Sequence, residues 1–420
     1  MHYFDYKKDE QLYAEDVPLQ EIVKKVGTPV YVYSYTTFER HFRVFDGSFR
    51  SLPHITCYSC KANSNTALLR MVATMGGGAD VVSGGELFRA LNAGVPAHKI
   101  VFSGVGKTEE EITYAARSAI LMINMESADE VHTVAGIARR MRKKIPVSIR
   151  VNPEIDPKTH PYITTGLKKN KFGILWQEAR ELYREIAGEP FLVPVGISSH
   201  IGSQITEMTP FIEAVRSLRR MVAELKKQGI QLTYMDIGGG LGISYKDELP
   251  PHPEQYGRTI EKELKGTGLT LILEPGRVIV GNSGIFVTRV LYVKKTPQKT
   301  FYIVDGAMND LVRPALYDAY HEIIPLLKAG VKRVKVDVVG PICESGDFLA
   351  KGRSLPELMP GAVVAVLCAG AYGFSMSSNY NSRKKVPEVL VKRDQFFVVR
   401  NRERLADLIR GENIPDFLKG

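Results

Sequence analysis

The residues of this 420-residue chain that could do chemistry fall into short blocks, and the first is built around a lysine. Lys61 sits in Tyr58-Ser59-Cys60-Lys61-Ala62-Asn63, where the run Ile55 to Cys60 reads as a strand giving way to a helix near Asn65. An ammonium at the mouth of a buried strand must be desolvated or paired, and desolvation lowers its pKa toward that of a usable nucleophile. Such amines form Schiff bases with carbonyl groups. A lysine stem snorkelling from a strand end would look the same in isolation. The other blocks decide between the two.

Gly238-Gly239-Gly240-Leu241-Gly242 puts four glycines in five positions after a strand-like run. Glycines there let backbone amides approach a phosphate, although a tight turn is the plainer use of such a cluster. His200-Ile201-Gly202-Ser203-Gln204 adds a hydroxyl donor at Ser203 and an imidazole at His200 that could stack on a flat ring. Glu274-Pro275-Gly276-Arg277 carries a carboxylate that needs a cationic partner if buried. A protonated ring nitrogen is one such partner and Arg277 the internal alternative; Gly276 leaves an amide for phosphate oxygens. In Cys343-Glu344-Ser345-Gly346-Asp347 a thiol lies among acids, which favour its proton-carrying form, whereas Cys368 reads as packing in an apolar strand. Arg313-Pro314-Ala315-Leu316-Tyr317 supplies a carboxylate-binding fork and a phenol, and Tyr372 a hydroxyl on a glycine-flanked loop.

The elements needed to position these residues are legible as alternation. Strand candidates are Ile55–Cys60, Ala79–Val82, Ile100–Ser103, Leu121–Ile123, Pro146–Val151, Val195–Ser198, Leu232–Ile237 and Leu271–Glu274. Helical patterns between them include Thr66–Thr74, Gly85–Ala93, Thr108–Ser118, Ala128–Arg142, Gln177–Ile186 and Met208–Lys227. This predicts a parallel (β/α)8 TIM-type barrel, with an open doubly wound sheet as the alternative. Barrel sites are built at the C-terminal ends of strands. There lie Lys61, Asp80, Ser103, Arg150, His200, the glycine run and Glu274. After Gly276 the runs Val278–Val280, Ile285–Val293, Thr300–Val304, Val334–Val339, Val363–Cys368 and Val389–Arg393 predict a mainly β domain. The expected division is residues 1–35, joining that β domain through Pro29–Tyr33, then 36–276 as the barrel and 277–420 as the β domain.

Composition narrows the class. Hydrophobic content of 44% and charged content of 24% are those of a soluble globular protein. Four cysteines do not make a disulfide framework. Cys57 and Cys60 have no further zinc ligands at suitable spacing, so both are expected as packing and no metal is expected. The net charge of +10 is scattered without a nucleic-acid motif, so no nucleic-acid partner is expected. The apolar stretch Gly361–Phe374 is too short to span a bilayer and no signal peptide is evident, so the expected location is cytoplasmic, away from membranes.

Seven blocks, Tyr58–Asn63, His200–Gln204, Gly238–Gly242, Glu274–Arg277, Arg313–Tyr317, Cys343–Asp347 and Tyr372, together resemble the diaminopimelate decarboxylases. These are pyridoxal-phosphate enzymes with an alanine-racemase-like barrel and a β domain. The resemblance implies that Lys61 holds pyridoxal 5'-phosphate covalently, that Glu274 binds its ring nitrogen and that His200 stacks on the ring. Asp80 joins the cofactor site; Ser203, Gly239, Gly240, Gly276, Arg277 and Tyr372 would surround the phosphate. Arg277, Arg313, Tyr317, Glu344 and Tyr372 would hold the substrate, and Cys343 would donate the proton. In this family the residues matching Cys343 and Glu344 come from the neighbouring subunit, implying a homodimer with shared sites. The implied reaction releases carbon dioxide from meso-2,6-diaminopimelate and leaves L-lysine. Alanine racemases resemble the chain less, since they place an arginine where Glu274 stands. Ornithine and arginine decarboxylases commonly follow the cysteine with aspartate rather than Glu344. A non-catalytic relative would not need both Lys61 and Cys343.

Overall fold

The computed structural model describes residues 2–156, 171–328 and 330–419. Two compact units emerge: Phe38–Gly281, and the chain up to Thr37 together with Asn282 onward.

In the first unit eight parallel strands close into a barrel. They are His54–Ser59, Gly78–Val81, Ile100–Phe102, Met122–Met125, Ile145–Arg150, Leu192–Ser198, Tyr234–Asp236 and Thr270–Leu273. The eighth pairs with the first, Leu271 opposite His54 and Leu273 opposite Thr56. These strands are apolar along most of their length because a parallel sheet is covered on both faces. Cys57, Val101, Met122 and Ile272, from strands around the ring, meet in one fully buried cluster that fills the interior.

Helices follow the strands at Thr66–Thr74, Gly84–Asn92, Glu109–Ser118, Ala128–Met141, Trp176–Gly188, Thr209–Lys227 and Pro253–Leu264. Side-chain caps set several of their starts. Asn65 accepts from the Ala67 amide, Ser83 from Glu86 and Ser127 from Glu130, while Thr108 and Glu111 form a reciprocal capping box. Each such cap stabilises its helix by about 1 kcal/mol. Cys57 packs inside the first strand as expected, but Cys60 lies beyond it, buried in the single 3-10 turn Cys60–Ala62.

The second unit is built on the long strand Gly284–Lys295. It pairs antiparallel with Val30–Ser34, Val363–Val366 and Thr300–Val304. Val30–Ser34 also pairs in parallel with Glu388–Lys392, so the early run does join this sheet. Arg333–Val339 lies between Thr300–Val304 and Phe348–Pro356. Val30, Val32, Ile285, Val287, Ala365 and Val389 share one buried core.

Two sequence expectations fail here, and two elements went unread, each for a local reason. Val278–Val280 is not β: Arg277–Val280 is a short helix, and its apolar residues Ile279 and Val280 are buried rather than laddered. Cys368 lies past its strand, half-buried at φ +56°, where the chain turns between amide bonds from Leu367 to Glu322 and from Ala369 to Gly284. Phe348–Pro356 is a strand the apolar pattern hides, because Lys351, Gly352 and Arg353 interrupt it on an exposed stretch. The small sheet Phe4–Tyr6, Leu12–Ala14 and Val17–Pro18 is likewise too short to give a period.

Among the described residues, no helix is long and apolar enough to cross a membrane. No group of three or more His, Cys, Asp or Glu among them is placed to hold a metal ion.

Against the barrel wall, Phe45, Phe49, Phe211 and Tyr256 form a ring cluster with centroid separations of 4.8 Å for Phe211–Tyr256 and 5.5 Å for Phe45–Phe49. Gly257 sits beside it, and a Cβ there would stand 2.2 Å from the Ser48 carbonyl oxygen. Gly257→Ala should therefore destabilise the protein by about 1–3 kcal/mol, as overpacking does. A lowered urea midpoint at unchanged slope checks this.

Candidate active site

The first barrel strand ends at Ser59, and the following 3-10 turn presents Lys61 at the C-terminal face. Its ammonium is paired: Nζ lies 2.5 Å from Oδ2 of Asp80, a fully buried residue of the second strand. The Lys61 side chain itself is 31% exposed, so the amine is anchored by one carboxylate yet reachable. Ser59 Oγ stands 2.9 Å from both Asp80 Oδ2 and the Glu274 carbonyl oxygen, tying the first, second and eighth strand ends together.

Glu274, just past the eighth strand, is buried beside a carboxyl that the sequence reading did not single out. Asp236 closes the seventh strand and hydrogen-bonds Glu274. Its Oδ1 accepts from the Gly238 amide at 2.9 Å and its Oδ2 from Asn124 Nδ2 at 3.1 Å. Asn124 in turn reaches Ser103 Oγ at 3.0 Å. Burial pushes the Glu274 carboxyl well above the usual range, and the charges of Asp236 and Asp80 push it further. Asp236 is raised for the same primary reason, so the pair shares a proton rather than carrying two charges. The buried Oε1 of Glu274 has no hydrogen-bond partner among the described residues. A buried carboxyl oxygen without a donor is suited to meet an N–H brought by a ligand.

The glycine run turns sharply, with Gly238 at φ +66° and Gly240 at φ +109°. Gly239 donates its amide to Nδ1 of His200 at 3.2 Å. Since Nδ1 accepts, the His200 proton resides on Nε2. Burial drives the imidazole pKa well below its ordinary value, helped by the nearby Lys61 and Arg150 charges, so His200 is a neutral ring. Arg150, in the fifth strand, is held by Glu126 Oε1 at 3.0 Å. Arg277 is buried and gathers two hydroxyls: its guanidinium donates to Tyr245 Oη at 2.7 Å and to Ser203 Oγ at 3.1 Å. Gly276 is needed where it stands, since a Cβ would press to 3.0 Å on the Cβ atoms of Ser59 and Ala62.

The barrel thus brings together Lys61, Asp80, His200, Ser203, Gly239, Gly240, Glu274, Gly276 and Arg277 around its strand ends. Its residues fit a phosphorylated pyridine aldehyde: an amine for the carbonyl, an unpartnered buried oxygen for a ring N–H, and an arginine–serine pair with glycine turns for an anion.

In the β unit the remaining candidates group separately. Arg313 opens the short helix Arg313–Tyr317 and is buried. Its Nη1 lies 2.9 Å from Nε2 of the fully buried His321, whose Nδ1 lies 2.8 Å from the Leu367 carbonyl. His321 must therefore donate through Nδ1 and accept through Nε2. Tyr317 is half-buried one turn after Arg313. Cys343 and Glu344 are exposed on the loop between Arg333–Val339 and Phe348–Pro356. Asp347 braces that loop, its oxygens taking the Ile342 and Met308 amides at 2.7 Å. Tyr372 is half-buried at φ +56°.

Sequence reasoning missed Asp236, Tyr245 and His321. Asp236 had a usable signal: it lies two residues before Gly238, on the parity that points a strand residue inward. Tyr245 and His321 had none, being brought in by tertiary contact alone.

Residues 35–281 match the family described as pyridoxal-dependent decarboxylase, pyridoxal binding domain. The class is therefore the pyridoxal-dependent decarboxylases of barrel fold. Over 415 residues, 99% of each chain, the protein is 48% identical to a diaminopimelate decarboxylase of Vibrio cholerae. It is 44% identical to the Helicobacter pylori diaminopimelate decarboxylase solved with L-lysine, at a TM-score of 0.91 over 93% of this chain and 98% of that one. The M. jannaschii diaminopimelate decarboxylase, also solved with L-lysine, superposes at 0.94 over 100% of both chains with 38% identity. The chain belongs to the diaminopimelate decarboxylase family.

The neutral state of His200 gives a direct expectation. In nitrogen-15 NMR of histidine-labelled protein at pH 6, His200 should remain an Nε2–H neutral ring. A His200 signal titrating near the ordinary value of 6.5 would contradict the assigned hydrogen bond.

Proposed function

We infer that this chain decarboxylates meso-2,6-diaminopimelate to L-lysine and carbon dioxide with pyridoxal 5'-phosphate as cofactor. The observation that carries this reading is the buried, unpartnered Glu274 oxygen beside a Lys61 amine, in a chain that aligns end to end with diaminopimelate decarboxylases. Bound pyridoxal phosphate supplies a protonated, electron-withdrawing ring that takes up the electrons left behind by departing carbon dioxide.

The chain's own residues do the rest. Lys61 Nζ grips the cofactor aldehyde, and Asp80 keeps that amine in place before substrate arrives. Glu274 Oε1 holds the ring nitrogen in its protonated form, with Asp236 fixing the carboxyl behind it. His200 would offer the ring a neutral surface and add no charge. Ser203, Gly239, Gly240, Gly276 and Arg277 bind the phosphate, with Tyr372 completing the anion site. Arg277, Arg313, Tyr317 and Tyr372 hold the substrate's carboxylates. Glu344 receives the far ammonium, so the pocket carries both signs for a zwitterionic end. Cys343 Sγ gives its proton to the carbon that lost the carboxylate, and solvent restores the thiol.

We further infer a homodimer in which Cys343 and Glu344 serve the partner's barrel. Their exposure on a braced loop of this chain supports that arrangement. A charged small-molecule substrate supports a cytoplasmic setting.

Lys61→Ala should abolish the near-visible absorbance of the cofactor-loaded protein together with carbon dioxide release. Retention of that band would move the anchor to another lysine. Inactive Lys61→Ala and inactive Cys343→Ala chains, mixed under conditions of demonstrated subunit exchange, should recover part of the activity. No recovery would place each site within one chain.

A further inference from the structure

Two neighbouring residues hold the Cys343–Glu344 pair and have no part in the reading above. Tyr380 Oη donates to Glu344 Oε2 at 2.7 Å, and Asn381 Oδ1 accepts from the Cys343 amide at 2.9 Å. Asp347 braces the loop on its other side through backbone amides, but it does not fix the Glu344 side chain. An exposed glutamate left to itself samples several rotamers, and ordering it costs conformational entropy. Tyr380 removes that freedom. Its phenol is pushed up first by the hydrogen bond to Glu344, so it remains a donor at neutral pH.

The segment bearing this pair is itself pinned. The Ser378 amide bonds the Asn309 carbonyl at 2.9 Å, Asn379 Nδ2 bonds Glu403 at 2.7 Å, and Arg383 reaches the Asp305 carbonyl at 2.6 Å. Asn381 and Ser382 both stand at φ +53°, in the left-handed region that asparagine tolerates better than most residues. That kink turns the Asn381 side chain back onto the Cys343 amide. A sequence does not adopt two successive left-handed residues without compensation, and here the compensation is contact with the two residues proposed to handle substrate and proton.

We propose that Tyr380 and Asn381 are positioning residues: Tyr380 orients the Glu344 carboxylate for the substrate's far ammonium, and Asn381 sets the backbone from which Cys343 delivers its proton. The inference rests on the roles given to Cys343 and Glu344 above. Tyr380 holds one carboxylate oxygen and leaves Oε1 for the incoming cation. Asn381 acts one residue earlier, on the main chain, and so governs where Sγ sits without touching it.

The two act on different kinetic constants. Tyr380→Phe keeps the ring and loses the donor, so KM for meso-diaminopimelate should rise about tenfold with little change in kcat. Asn381→Gly keeps the left-handed backbone and loses the acceptor, so kcat should fall about tenfold with KM nearly unchanged. Double-mutant cycles on the cofactor-loaded enzyme complete the test. In a Glu344→Gln background Tyr380→Phe should have no further effect, and on the residual turnover of a Cys343→Ser background, which keeps a weak proton donor, neither should Asn381→Gly. Independent, multiplicative losses would overturn the positioning proposal alone, as would single variants that leave both constants at parental values. If Glu344→Gln and Cys343→Ala themselves leave turnover intact, the underlying assignment of those two residues fails, and the positioning proposal falls with it. Thermal unfolding midpoints matching the parent protein separate these outcomes from a folding defect.

Discussion

Crowding of acids at one end of a closed barrel governs the rest of the site. Asp80, Asp236 and Glu274 are all buried where the first, second, seventh and eighth strands end, and one ammonium, Lys61, stands among them. Three buried carboxylates cannot all be charged there, since each unpaired charge costs several kcal/mol to desolvate. The structure resolves the conflict by dividing labour. Asp80 takes Lys61, while Asp236 and Glu274 share a proton and leave one oxygen waiting for a donor. Such a place holds poorly to an anion and well to a heterocycle that arrives with an N–H. Burial, helped by the nearby Lys61 and Arg150 charges, likewise keeps His200 neutral.

The closed ring is what makes this arrangement possible. A parallel barrel converts eight distant stretches of sequence into one circle of strand ends, so residues separated by more than two hundred positions become neighbours. Ser59 shows the consequence, lying 2.9 Å from both Asp80 and the Glu274 backbone. Helix caps at Asn65, Ser83 and Ser127 then stop the connecting loops from drifting, because each fixes where the chain leaves the strand. Gly276 serves the same end by permitting backbone to pass against the Lys61 turn.

Much of this was legible before any coordinates. Alternation of apolar runs with amphipathic stretches located all eight barrel strands, and the Thr66–Thr74 helix was read to the residue, because period and length agree in a barrel. Lys61, Glu274 and the glycine run were visible since their types are ill suited to the positions they occupy. Asp236 escaped because an aspartate before a turn is ordinary chemistry for a turn, which masked the inward parity that sets it apart. Val278–Val280 misled for the opposite reason: β-branched residues are as good for burying a short helix as for building a strand, and three residues carry no period. Arg313 was found as a guanidinium fork, yet the imidazole that orients it, His321, lies eight residues on in an unremarkable stretch.

In the function proposed, specificity follows from where the two signs of charge are mounted. In the barrel, Arg277 is buried against Ser203 and Tyr245, placed in the function proposed to meet an anionic phosphate. The β unit carries Arg313 on a helix locked by His321, and Glu344 on a loop clamped by Tyr380. In the shared site proposed, a fixed arginine from one chain and a fixed glutamate from its partner would favour a substrate end that bears both an ammonium and a carboxylate. A diamine precursor lacking that second carboxylate would leave the proposed Arg313 contact to substrate unmade, and a missing partner at a polar site discriminates more strongly than a missing apolar contact. Discrimination of this kind needs fixed groups, because a mobile glutamate would swing away from a poorer substrate at little cost. The hydrogen bonds that hold these side chains therefore matter as much to selectivity as the charges they hold.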